Sequence, residues 1–92
     1  MRSHAPAYPV PFWIDRDDAP HVIRLVNMSD ERVTNLRATL LGSGHLVPLE
    51  PLTLEPGRSA RLTLIGVEST DSIVVVRWFR PDGEEYLWRI SF

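Results

Sequence analysis

Three histidines, one run of aspartates and one Ser-His neighbourhood have the residue types for catalysis or metal binding. His4, His21 and His45 stand far apart, with no second ligand two or four residues away. The chain has no cysteine, so no thiolate can complete a zinc set. Asp15, Asp17 and Asp18 place carboxylates close together in a loop, as a calcium site with its roughly six to eight oxygens would. The downstream Gly and Glu of an EF-hand loop are missing, and a solvated turn before Pro20 is the expectation. In Gly42-Ser43-Gly44-His45 a hydroxyl neighbours an imidazole. A nucleophile elbow needs Gly-x-Ser-x-Gly between a strand and a helix, and no helical pattern follows. A flexible turn is expected there. Glu84 and Glu85 are adjacent on an extended run, so they face opposite sides and cannot flank one bond. Asn27-Met28-Ser29 satisfies the glycosylation sequon, but no apolar signal segment opens the chain to give it access to the modifying machinery. No catalytic residue, cofactor or metal is expected, and the chain reads as a non-enzyme.

The elements that would position any site are all short and extended. The chain has 92 residues, 43% of them hydrophobic and 24% charged, an ordinary globular balance. A chain of this size buries roughly 64% of its unfolded surface, enough for one modest core. The net charge is −2, so there is no basic excess to neutralise phosphates and no nucleic-acid partner is expected. All ten basic residues are Arg. A GC-rich genome produces that bias, and so does selection for planar bidentate contacts. The longest apolar runs, such as Ile73–Val76, fall far short of the roughly 20 residues of a membrane helix, so no membrane partner is expected. The lack of cysteine and of a signal segment leads to the expectation of a soluble, cytoplasmic protein.

Residues 1–7 read as a loose tail and 8–92 as one folded domain. Pro9 and Pro11 make residues 8–14 extended but leave gaps in a ladder, so they form an edge strand or a strap. His21–Asn27 is rich in β-branched residues and predicts a strand. Val33–Leu41 predicts another, with Thr34, Leu36, Ala38 and Leu40 toward a core. Residues 46–54 hold two short extended pieces around Pro48 and Pro51. Glu55-Pro56-Gly57-Arg58 is a tight turn, followed by a half-buried strand with Ala60, Leu62 and Leu64 inward. The last third carries the strongest pattern. Ser72–Arg80 and Glu84–Phe92 flank Pro81-Asp82-Gly83, a linker that fits a type I turn closed by a Gly bulge. That turn sets a register in which Trp78 opposes Tyr86, Val76 opposes Trp88 and Val74 opposes Ile90. Phe92 ends the same inward face.

About seven short strands with regular turn signals predict an all-β fold, a single antiparallel β-sandwich. Three pieces resemble an immunoglobulin-like or fibronectin-type-III-like domain of bacterial type. Asn27–Leu36 resembles the turn between the second and third strands. Leu54–Leu64 resembles the turn into the fifth. The Val74–Trp88 hairpin resembles the last two. The paired cysteines, the Trp of the third strand and the tyrosine corner are absent, which separates the chain from antibody-type domains. This fold hosts many unrelated functions.

The hairpin register also defines an outward face. Val75, Arg77 and Phe79 lie on one strand, Leu87 and Arg89 on the other. Apolar side chains rimmed by Arg are an interface composition. Two readings stay open: this face contacts a protein partner or a second copy, or the N-terminal strap with Phe12 and Trp13 lies over it. The first makes the chain an interaction or assembly module. A carbohydrate-binding module is the alternative, although Trp78, Tyr86 and Trp88 point inward. A small enzyme is weaker still, with no motif to support it.

Overall fold

The computed structural model describes residues 9–68 and 70–91. Eight strands make up the described chain: β1 (Phe12–Asp15), β2 (Val22–Asn27), β3 (Val33–Leu41), β4 (His45–Leu46), β5 (Leu52–Leu54), β6 (Ser59–Ile65), β7 (Ile73–Phe79) and β8 (Glu85–Ser91). They form two four-stranded sheets, with orders β1-β2-β6-β4 and β5-β3-β7-β8. Every ladder is antiparallel. The two antiparallel sheets pack as a β-sandwich. β5 caps the edge beside β3. The expected count of about seven rises to eight because the two Pro-flanked pieces separate. β4 joins β6 in one sheet, and β5 joins β3 in the other.

The core lies between the sheets. Ile23, Leu25, Ala60, Leu62 and Leu64 come from the first sheet, and Leu36, Leu54, Val74, Val76, Trp78 and Ile90 from the second. The period-2 alternation of β2, β6 and β7 delivers these residues inward. Phe12 reaches in from the edge strand and meets Trp78 edge-on, 5.0 Å between ring centroids. Tyr86 stacks on Trp78 at 6.2 Å. Such aromatic pairs add to the burial term itself.

The hairpin has the register that the Pro-Asp-Gly linker predicts: Val74 opposes Ile90, Val76 opposes Trp88 and Trp78 opposes Tyr86. Gly83 takes φ +89°, and its N–H donates to the Arg80 carbonyl at 2.9 Å. Trp78 is 1% exposed. Trp88 and Tyr86 are only partly buried, because β8 is an edge strand and the core thins there. The placement of Phe92, the tail 1–7, Tyr8 and His4 lies outside the described residues.

One expectation about β3 is corrected. Thr34 does not share the core face with Leu36. The register slips between Thr34 and Arg37, and Asn35 takes φ +51° within the slip. An extra residue in a ladder reverses the alternation on its near side, and Asn tolerates the left-handed region. Val33 therefore turns inward, 1% exposed, and Thr34 turns outward opposite Phe79.

Candidate functional site

The outer face of the second sheet is a lattice whose rows follow from the two registers. Thr39, Val75 and Arg89 form one row. Arg37, Arg77 and Leu87 form the next. Thr34, Phe79 and Glu85 form the third. Val75, Arg77, Leu87 and Arg89 therefore come together, and with Arg37, Thr39 and Leu41 they line a shallow groove of about 360 Å³. Leu87 is 50% exposed and Leu41 52%. Phe79 sits at one end, half-buried, with the Arg37 guanidinium 5.8 Å from its ring centroid. Cation–π contact of this kind holds both groups in place.

The strap does not cover this face. β1 pairs with β2 in the opposite sheet, Phe12 is in the core, and Trp13 points to solvent from the other side of the sandwich, 57% exposed. Of the two readings left open by the sequence, coverage by residues 12 and 13 is excluded.

Charge on the face is uneven. Arg37 ion-pairs with Glu85 across β7. Its Nε is buried without a hydrogen-bond partner. Arg77 stands directly opposite Arg37, and like charges so placed weaken a ladder. Among the described residues neither Arg77 nor Arg89 has an acidic partner. Three guanidiniums thus converge with one carboxylate on a chain that is acidic overall.

Arg37, Thr39 and Leu41 were not singled out from the sequence. The inward assignment of Leu36, Ala38 and Leu40 already implied that they face out. What the sequence did not show is that β3 lies beside β7, which joins their face to that of the hairpin.

The other chemistry-bearing residues have structural partners. The Asp15 carboxylate accepts the Asp17 N–H at 3.0 Å, and Asp18 pairs with Arg24 at 2.9 Å. That hydrogen bond raises the Arg24 pKa further. Ser43 donates its hydroxyl to Asp71 at 2.9 Å, and Ser72 donates to the Ser43 carbonyl at 3.0 Å. The Gly42 backbone, at φ +108°, lies so close to Asp71 that a Cβ would stand 2.1 Å from its carbonyl oxygen. This run is therefore a fitted turn rather than the flexible one expected. His21 and His45 are exposed, on β2's approach and on β4. No group of three or more His, Cys, Asp or Glu converges among the described residues.

Asn27, the sequon residue, is fully buried. Its amide donates to the carbonyls of Glu31 at 2.8 Å and Leu54 at 2.9 Å, and its oxygen accepts the Ser29 N–H and hydroxyl. It ties the β2–β3 turn to β5. Glu31 in turn takes a bidentate pair from Arg80, at 3.0 and 2.7 Å. This pairing holds the Glu31 carboxyl below its ordinary range and raises the Arg80 guanidinium.

No protein-family model matches the chain, and no curated protein matches it. Among solved structures, the chain is similar to one from the archaellum periplasmic stator protein complex FlaF and FlaG of Sulfolobus acidocaldarius. The identity is 14%, the TM-score 0.43, and 98% of this chain and 100% of that chain are covered. That protein is periplasmic, which stands against the cytoplasmic expectation without assigning this chain a compartment. A missing cysteine pair does not fix a compartment, because a two-sheet core such as this one holds without disulfides. The likeness shows no family.

Proposed function

We propose that this domain is a non-enzymatic interaction module that binds a protein partner through the outer face of its second sheet. The open groove carries the reading: an aliphatic floor of Leu41, Val75 and Leu87 between Arg37, Arg77 and Arg89, with the strap residues Phe12 and Trp13 on the other sheet. Burying such a floor favours association by about 1.5–3 kcal/mol for each large side chain fully taken out of water. Leu87, half exposed, gains more than Phe79, which is already mostly covered. Arg77 and Arg89 supply charge-assisted, bidentate bonds to carboxylates. A partner that offers aliphatic side chains beside Asp or Glu fits both features.

Sugar binding finds less support. It needs coplanar exposed aromatics, and Trp78 is buried while Tyr86 and Trp88 pack against the core. Trp13 is exposed on the opposite sheet, with no second exposed aromatic beside it among the described residues.

Arg77→Glu combined with Phe79→Ser tests the reading, because both positions lie on β7 and clear of the sheet edge. The variant is expected to keep its circular dichroism and to lose every protein that the wild-type domain captures specifically. Undiminished capture by the folded variant would overturn the assignment.

A further inference from the structure

The second sheet ends in β8, which has no neighbour on its far side among the described residues. Its seven residues run without a register slip and without Pro or Lys. Native edges are ordinarily blunted by such features, or by charges that meet like charges on a second strand.

The direction of the free backbone groups follows from the turn. The Arg80 N–H donates to the Glu84 carbonyl at 3.0 Å, so Glu84 turns its groups toward β7. Alternation then turns the N–H and C=O of Glu85, Leu87, Arg89 and Ser91 away from β7, to the open side. Arg16 agrees with this: it donates to the Ser91 carbonyl at 2.8 Å from outside, and so closes the edge at that end. Among the described residues no strand meets the outward backbone groups of Glu85, Leu87 and Arg89.

The side chains of this stretch are arranged symmetrically about its centre. Glu85-Tyr86-Leu87-Trp88-Arg89 has an acid and a base at equal distance from Leu87, and an aromatic on either side of it. We propose that two copies of the chain pair through β8, antiparallel, on a two-fold axis at Leu87. Each Glu85 then opposes Arg89 of the other copy. Leu87 meets its own counterpart, and Tyr86 opposes Trp88. Residues 85, 87 and 89 all direct backbone groups at the partner strand, so each facing pair exchanges two N–H···O bonds. The half-exposed Leu87 loses its water, and the partly buried Trp88 gains cover at the thin edge of the core. Arg89, which has no acidic partner among the described residues, acquires one.

Register is the discriminating point. With the axis at Trp88, Leu87 would face Arg89 and Glu85 would face Ser91, and both charges would lose their pairing. The pairing uses the backbone edge and shares Leu87 and Arg89 with the docking face, but a monomeric wild type would overturn the pairing alone, and undiminished capture by the Arg77→Glu, Phe79→Ser variant would overturn the docking reading alone.

Sedimentation equilibrium of the full chain at high micromolar concentration is the experiment. The wild type is expected at twice its 10.5 kDa mass. Arg89→Glu places carboxylate against carboxylate at both ends of the seam, which is expected to weaken the dimer by about a hundredfold or more. Thermal melting shows whether that variant is folded. Reversing all three charges, with Arg37→Glu, Glu85→Arg and Arg89→Glu together, keeps residue 85 paired within the sheet and is expected to restore the dimer. A monomeric wild type overturns the proposal. So does a folded Arg89→Glu variant that dimerises as well as wild type, or a folded reversal variant that stays monomeric.

Discussion

The two outer faces of the sandwich share one device and differ in what surrounds it. On the first sheet Arg24 stands opposite Arg61, and on the second Arg37 stands opposite Arg77. In each pair one member is neutralised nearby, Arg24 by Asp18 and Arg37 by Glu85. An opposed Arg pair is therefore no mark of function in this fold. What separates the faces is the floor. Ser59 and Thr63 flank Arg61 on β6, and the apolar Trp13, Val26 and Ile65 of that sheet line no groove with it, whereas Val75, Phe79 and Leu87 adjoin Arg77 on the second sheet and share a groove with Leu41 and Arg89. Guanidiniums over polar residues can be satisfied by water. Guanidiniums around an aliphatic groove combine a hydrophobic gain with directional bonds, the composition of a contact surface.

The largest expected effect removes what both faces stand on. Trp78→Ala should cost about 3–5 kcal/mol in urea denaturation, because a buried aromatic is replaced by a cavity. Trp88→Ala should cost clearly less, since part of that ring already meets solvent. Equal costs would mean that the edge of the second sheet is as well packed as its centre. Next comes Asn27→Ala, which leaves the Leu54 carbonyl without its donor and loosens the tie between the β2–β3 turn and β5. About 1–3 kcal/mol is expected from the lost buried hydrogen bonding, read as a lower denaturation midpoint. A neutral result would show that water replaces the amide.

Smaller effects distinguish the faces directly. Leu87→Ser and Trp13→Ser alter side chains of similar exposure on opposite sheets. Both should shift stability by no more than about 0.5 kcal/mol, as surface changes do. Only the first should reduce protein capture. If Trp13→Ser reduces it equally, the contrast between the faces fails. The smallest effect is one of pH. The Arg80 guanidinium lowers the folded-state pKa of Glu31, so the pair contributes stability above the ordinary Glu range. That contribution fades as acid protonates Glu31 through its depressed pKa. Melting of wild type and Glu31→Gln should therefore differ at neutral pH and converge toward pH ~3, below the ordinary Glu range. A constant difference would mean that the pair is not the cause.

The hairpin was legible because its turn chemistry fixes a register, and a register fixes faces. Gly83 and the alternation from Val74 to Ile90 place Trp78 inward and Arg77 outward without further information. β3 was legible in extent but not in phase near its start. The bulge at Asn35 exchanges Thr34 for Val33, and an Asn in a strand does not by itself announce a bulge. The groove was half legible. Its β7 and β8 walls follow from local pairing, but its β3 wall depends on a long-range neighbour relation that alternation alone does not encode. The Asn27 knot was hidden for the same reason: its partner at Leu54 is distant in sequence, and the Asn-Met-Ser string reads as a modification signal.

Quantitative capture with three baits shows whether the second sheet carries the contact surface. One is the wild-type domain, one carries Arg77→Glu with Phe79→Ser, and one carries Trp13→Ser with Arg61→Glu. All three should fold, as their circular dichroism would show. A specific protein partner should be retained by the wild type and by the first-sheet variant, and lost by the second-sheet variant. Loss confined to the first-sheet variant, or equal retention by all three, would place the contact surface elsewhere.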